Sequence, residues 1–230
     1  MSKIFAVILA RGGSKGLKKK NIKKLNGITL LERTINDAKK SKYINKIIVS
    51  TEDPDIKALS SKLKVEVMER SHHLSGDFIT SEEVLKDIAQ KLYAKDKLPD
   101  IFVYLQLTEP FRPKNIIDKC IKSLLDDPSL DSAFAGFMTH KNYWIESNNI
   151  VKKISPVLES SKPRQQKNPV FREDTGIALA SRANVFLSGR RIGDNPKIIP
   201  YSSFHSTIDI HSKDDFEFAE LIEDFILKKG

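Results

Sequence analysis

The run Ile4-Phe5-Ala6-Val7-Ile8-Leu9-Ala10 carries no polar side chain and stops abruptly at Arg11. Such a run suits a strand buried on both faces, and strands of that kind belong to parallel sheets covered by helices. A loop holding Gly12, Gly13, Gly16, Lys15, Lys18, Lys19 and Lys20 follows at once. In an open α/β sheet, the loop leaving a strand's carboxyl end faces the ligand crevice. Glycines let main-chain N–H groups approach an anion, and lysines neutralise it. Two readings stand: a polyphosphate site, or a solvated basic turn. The loop is neither a Walker A motif nor a dinucleotide fingerprint, because it lacks the closing Gly-Lys-Ser/Thr and the Gly-x-Gly-x-x-Gly spacing.

The rest of the chain alternates strand and helix. The spacing predicts a helix from Leu30 to Lys40 and strands at Lys46–Ser50, Lys64–Met68, Ile101–Leu105 and Asp131–Phe137. Pro54 opens a short helix. Thr80 with Glu83 forms a capping box ahead of Val84, Leu85, Ile88 and Leu92. Ile116, Ile117, Cys120, Ile121 and Leu124 line a further helix. This alternation predicts a three-layer α/β/α sandwich with a mainly parallel sheet, built as one domain over residues 1–230. Between Met138 and Pro169 the periodicity weakens, which fits either a β-rich excursion or a long surface loop. Beyond Phe171 the spacing predicts a helix from Ser181 to Ser188, a strand from Lys197 to Tyr201 and a closing helix from Ser212 to Leu227. Phe216, Ala219, Ile222 and Phe225 form the apolar side of that last helix.

The net charge of +9 suits an anionic partner: a nucleotide, a nucleic acid or a membrane surface. The lysines are dispersed and no aromatic residues interleave with their clusters, so nucleic acid is the lesser expectation. No apolar run is long enough to span a bilayer, so no membrane partner is expected. The opening residues read as a strand and not as a signal peptide, and a lone cysteine excludes an internal disulfide; the expected location is cytoplasmic.

Ala10-Arg11-Gly12-Gly13-Ser14-Lys15-Gly16, followed by Lys20-Asn21, resembles the nucleotide-binding signature of the acylneuraminate cytidylyltransferases. Further matches follow in order. Arg70, Asp77 and Ser81 fall in a segment similar to that family's Arg-Pro-x-x-Leu-x-x-Asp stretch, with Ser71 in place of proline. Leu105-Gln106-Leu107-Thr108-Glu109-Pro110-Phe111-Arg112 resembles its Leu-Gln-Pro-Thr-Ser-Pro-Leu-Arg, with Glu109 where serine is usual. Arg164-Gln165 and Phe171-Arg172 resemble two later arginine motifs, though Asp174 to Ala178 depart from the pattern. Ile208-Asp209-Ile210-His211 stands where the family has Asp-x-Asp, and on a strand Asp209 and His211 would share a face.

The resemblance implies a nucleotide-diphospho-sugar-transferase-like fold in which residues 138–170 project, pair two subunits into a homodimer and help close the sugar site. It implies that Ala10 to Gly16, Lys20, Asn21, Arg70, Asp77 and Ser81 bind CTP. Gln106, Arg112, Arg164, Gln165 and Arg172 would bind an acidic sugar, and Arg11, Lys20 and Asp209 would carry the chemistry. Asp209 and His211 would hold Mg2+, or Mn2+ given the imidazole, and loss of activity through His211 is the third alternative. The implied reaction joins CMP from CTP to a nonulosonic, sialic-type acid and releases pyrophosphate. A Kdo-like acceptor, or a nucleotide-binding module without turnover, remains open. The adjacent His72 and His73 read as surface residues.

Overall fold

A computed structural model describes residues 2–13, 16–153 and 163–229. In chain order the elements are β1 (Ile4–Leu9), β2 (Lys24–Leu25), β3 (Ile28–Thr29), α1 (Leu30–Lys39), β4 (Lys46–Thr51), α2 (Pro54–Lys62) and β5 (Glu66–Glu69). There follow α3 (Ser81–Tyr93), β6 (Ile101–Leu105), α4 (Ile116–Asp126), β7 (Ser132–Thr139), β8 (Trp144–Ser147), β9 (Ile150–Lys153) and β10 (Val170–Glu173). The chain closes with β11 (Leu179–Arg182), α5 (Ala183–Leu187), β12 (Pro196–Tyr201) and α6 (Lys213–Lys229).

The main sheet runs β10-β7-β11-β6-β1-β4-β5, with β12 paired to β7. β1 lies between β4 and β6, parallel to both. Its side chains divide as a doubly covered strand requires. Ile4, Ala6 and Ile8 join the core that holds Leu31, Ile35 and Ile121, from α1 and α4, and Phe216 from α6. Phe5 and Val7 join the opposite core with Leu85 and Ile88 of α3 and Phe186 of α5. The α/β/α sandwich with a mainly parallel sheet is therefore as the alternation predicts. Helix starts are set locally: Thr29 accepts from the Glu32 N–H, Asp53 accepts from Ile56 ahead of Pro54, and the Thr80/Glu83 capping box is formed in both directions. Among the described residues no helix is long and apolar enough to cross a membrane.

The structure corrects several expectations. Ser181 and Arg182 belong to β11, not to a helix, because the chain returns antiparallel between β6 and β7 and buries Ser181 against Ser132. β10 and β11 follow one another along the same flank of β7, opposite β12, interrupted at residues 174–178. In the 138–170 stretch, β8 and β9 form a two-stranded hairpin, and residues 154–162 lie outside the described residues. Phe225 is exposed; Ile226 takes the partly buried place on α6. The segment 208–211 is not a strand; it is fixed instead by the Ile210 N–H donating to the Thr108 carbonyl.

Candidate active site

The carboxyl ends of β1, β5 and β6 meet over a cavity of about 430 Å³. Arg11, Lys20, Arg70, Asp77, Ser81, Tyr104, Gln106 and His211 are among its walls. Arg11 Nη1 reaches the Gly76 carbonyl at 3.2 Å and Asp77 at 3.3 Å. Lys20 Nζ donates to the Ile210 carbonyl at 2.8 Å, which ties the first loop to the segment carrying Asp209 and His211. Burial pushes the Lys20 ammonium below its ordinary value, while Asp209 pulls the other way. Arg70 is buried, donates to the Ser50 hydroxyl and carbonyl, and is likewise lowered by burial. Asn21 Nδ2 holds the Arg11 carbonyl at 2.8 Å. Gly16 packs so tightly that a Cβ there would lie 2.3 Å from the His211 carbonyl oxygen.

A second cavity, of about 320 Å³, shares Gln106 with the first. It is lined by Glu109, Arg172, Glu173, Asp174, Thr175, Gly176, Arg191 and Asp209. Arg172 grips Asp174 with two bonds, at 2.7 and 3.1 Å, and the Tyr201 hydroxyl donates to the same carboxylate. Arg191 pairs with Glu173 at 3.0 Å and Glu82 at 3.2 Å. Burial raises the Glu109 carboxyl to about 8, against the pull of Arg112.

Asp209 and His211 come together although no strand holds them: His211 Nε2 lies 2.7 Å from Asp209 Oδ2. Asp215 accepts from the His211 and Ser212 main-chain N–H groups. No cluster of three metal-ligating side chains occurs among the described residues. Magnesium does not require one, since it commonly keeps one or two carboxylates plus phosphate oxygens and water. Asp209 is a carboxylate of the kind such a site uses. His211 is the poorer donor and is engaged with Asp209 instead.

Not every expected residue faces these cavities. The Ala10 N–H is taken by the Ser50 carbonyl, and the Gly12 N–H by Glu52 Oε1 at 2.7 Å. Neither glycine of the Gly12-Gly13 pair lines either cavity, so among the described residues the positive charge on the first cavity's wall comes from the side chains of Arg11, Lys20 and Arg70. The cause is topological: β1 and β4 are neighbours, so their loops meet and Glu52 caps the first one. Arg112 is buried and spends its guanidinium on the Gln106, Gly176 and Ile177 carbonyls and on Asp37. It supports the site from behind and does not enter it. Gln165 is exposed and lines neither cavity. Ser14, Lys15 and the side chain of Arg164 lie outside what is described. Tyr104, Thr108 and Arg191 enter the site unforeseen, and the buried Tyr201 supports it through Asp174. Tyr104 links Ser81 to Gln106 by hydrogen bonds of 3.4 and 2.9 Å.

A family model described as cytidylyltransferase matches residues 5–219. The chain is 26% identical to the post-translational flagellin modification protein B of Campylobacter coli, over 96% of this chain and 95% of that one. It is 31% identical to an N-acylneuraminate cytidylyltransferase of Oncorhynchus mykiss, over 81% of this chain and 41% of that protein. Among solved structures, a CMP:2-keto-3-deoxy-manno-octonic acid synthetase complexed with CTP superposes with a TM-score of 0.74 at 15% identity, covering 97% of this chain and 99% of the other. At that identity the likeness speaks for the fold alone.

Proposed function

The chain belongs to the cytidylyltransferase family, and from that premise we propose that it transfers CMP from CTP to the anomeric hydroxyl of a nonulosonic acid, releasing pyrophosphate. The observation that carries this reading is the pair of cavities joined at Gln106. One is lined by Arg11, Lys20 and Arg70 and suits a triphosphate; the other carries Arg172 and Arg191 and suits an acid. Planar guanidinium groups match a carboxylate with two parallel bonds. Asp209 lines the second cavity and touches His211, which lines the first, so a nucleophile in the second cavity would face a phosphorus in the first.

Two anions must meet for this reaction, and fixed cations lower their mutual repulsion. Arg11 and Lys20 are positioned to stabilise charge building on departing pyrophosphate. Glu52 holds the Gly12 N–H where the phosphates would approach; triphosphate entry would compete with it for that donor. Asp209 would hold magnesium, which would offset phosphate charge and would make a substrate hydroxyl more acidic. Gln106, braced by Tyr104 on one side and by Arg112 through its carbonyl on the other, would orient the acceptor for attack. The acting form is proposed to be a homodimer joined through the β8–β9 hairpin, on which Trp144, Ile145, Ile150 and Val151 are exposed.

Mixing CTP and magnesium or manganese with a panel of sugar acids tests the reading. Pyrophosphate release with a sialic-type nonulosonate is expected. Release only with a Kdo-like octulosonate would move the acceptor class, and CTP binding without release from any acid would leave a binding module.

A further inference from the structure

Glu109 breaks a rule of protein interiors. It is 7% exposed, and its Oε2 is buried without a hydrogen bond. A buried carboxyl oxygen left unpaired is costly unless something else completes it. The side chain lines the second cavity, and Oε2 lies where a Cβ on Gly176 would stand, 1.8 Å away, so only glycine at 176 leaves room for it. Gln106 borders the same point. The space is thus built around this carboxyl from two separate loops.

We propose that Glu109 is a specificity residue of the acceptor cavity, and that its carboxyl hydrogen-bonds a neutral polar substituent of the sugar acid, a hydroxyl or an amide. This rests on the functional reading above and deepens it. The surrounding charges choose the partner's chemistry. Glu109 is faced by Asp174 from the turn after β10, by Asp209 from the segment before α6, by Arg172 from β10 and by Arg112 behind it. A substrate carboxylate placed against Glu109 would sit among acidic groups. The arginines Arg172 and Arg191 are the better match for that end of the acid. A hydroxyl or amide can donate to the unpaired carboxyl and carries no charge into the acidic side of the cavity. A site that hydrogen-bonds such a group discriminates sharply against analogues lacking it.

The test compares steady-state KM and kcat for the sugar acid and for CTP in the wild type, Glu109→Gln and Glu109→Ala, with the sialic-type nonulosonate as probe. Glu109→Ala is expected to raise the acid's KM by about tenfold or more, the equivalent of one buried hydrogen bond. Glu109→Gln, which keeps a donor and an acceptor, is expected to rescue it, and the CTP KM is expected to hold in both. An acid KM indifferent to both changes would overturn the proposal. So would parallel movement of both KM values, the mark of a merely structural role, or a collapse of kcat in Glu109→Gln at unchanged KM. Calorimetric CTP binding separates the two layers: wild type that binds no CTP defeats the functional reading, whereas full turnover that ignores Glu109 defeats only this inference.

Discussion

Lys20 joins three parts of the site: the first loop that carries it, the Ile210 carbonyl it holds, and the Asp209 carboxylate whose field supports its charge. Replacing it with methionine keeps most of the volume and removes the charge. We expect kcat to fall by about 100-fold or more, the usual effect of deleting one preorganised donor to a developing anion, with the melting temperature little changed. Gly16→Ala should cost both activity and stability, because the neighbouring atom is main-chain oxygen and cannot swing aside; thermal melting and CTP titration would register it. Glu109 gives a pH prediction. Its folded-state value of about 8 lies above the unfolded value, so the folded protein holds a proton that the unfolded chain releases. Stability from this group is therefore full below the unfolded value and declines as pH rises through about 8. Glu109→Gln removes that decline, and its advantage over wild type in denaturant unfolding should grow from pH 5 to pH 8, by roughly 3 to 4 kcal/mol. Parallel stability curves would refute this. At this scale the sequence was readable where a residue lies on a motif beside a strand end: Arg11, Lys20, Asp77 and Gln106 all reach the first cavity. It was opaque where tertiary neighbours decide. Nothing local says that Glu52 would claim the Gly12 N–H, or that Arg112 would be buried on carbonyls while Arg191 reached the cavity from beyond β11.

Elements explain which parts of the fold could be anticipated. β1 and β6 are buried on both faces and announce themselves as unbroken apolar runs, β4 shows a shorter one at Ile47-Ile48-Val49, and α3 is marked by its capping box. β11 is short, and its Ser181 is buried only because Ser132 and the Arg191 carbonyl pair with it. Its polar residue therefore misleads any reading from hydropathy. The β2–β3 hairpin carried a usable signal, the Asn26-Gly27 dipeptide, and both residues have the positive φ that such two-residue turns demand. The β8–β9 hairpin is the element with a prediction of its own. It packs few of its apolar side chains inward, so Ile150→Asp should leave the melting temperature almost unchanged while shifting sedimentation from dimer to monomer. A wild type that sediments as a monomer at micromolar concentration would remove the hairpin from the account.

For the molecule as a whole, the sheet's main contribution is placement. Parallel neighbours β4, β1 and β6 deliver their carboxyl ends to one edge, and the return of β10 and β11 brings Arg172 and Asp174 to the same edge from the other end of the chain. Charge follows that layout: the first cavity carries Arg11, Lys20 and Arg70, while the second mixes arginines with carboxylates. The net charge of +9 adds a long-range attraction for both substrates, and their association rates should fall with ionic strength. The central claim is that a sugar hydroxyl in the second cavity attacks the innermost phosphorus of CTP in the first. Phosphorus NMR of a reaction run with acceptor bearing heavy oxygen at its anomeric hydroxyl tests it most directly. The account predicts that the label appears in the oxygen bridging sugar and CMP and that pyrophosphate leaves unlabelled; label in the pyrophosphate, or free CMP as the only nucleotide product, would contradict it.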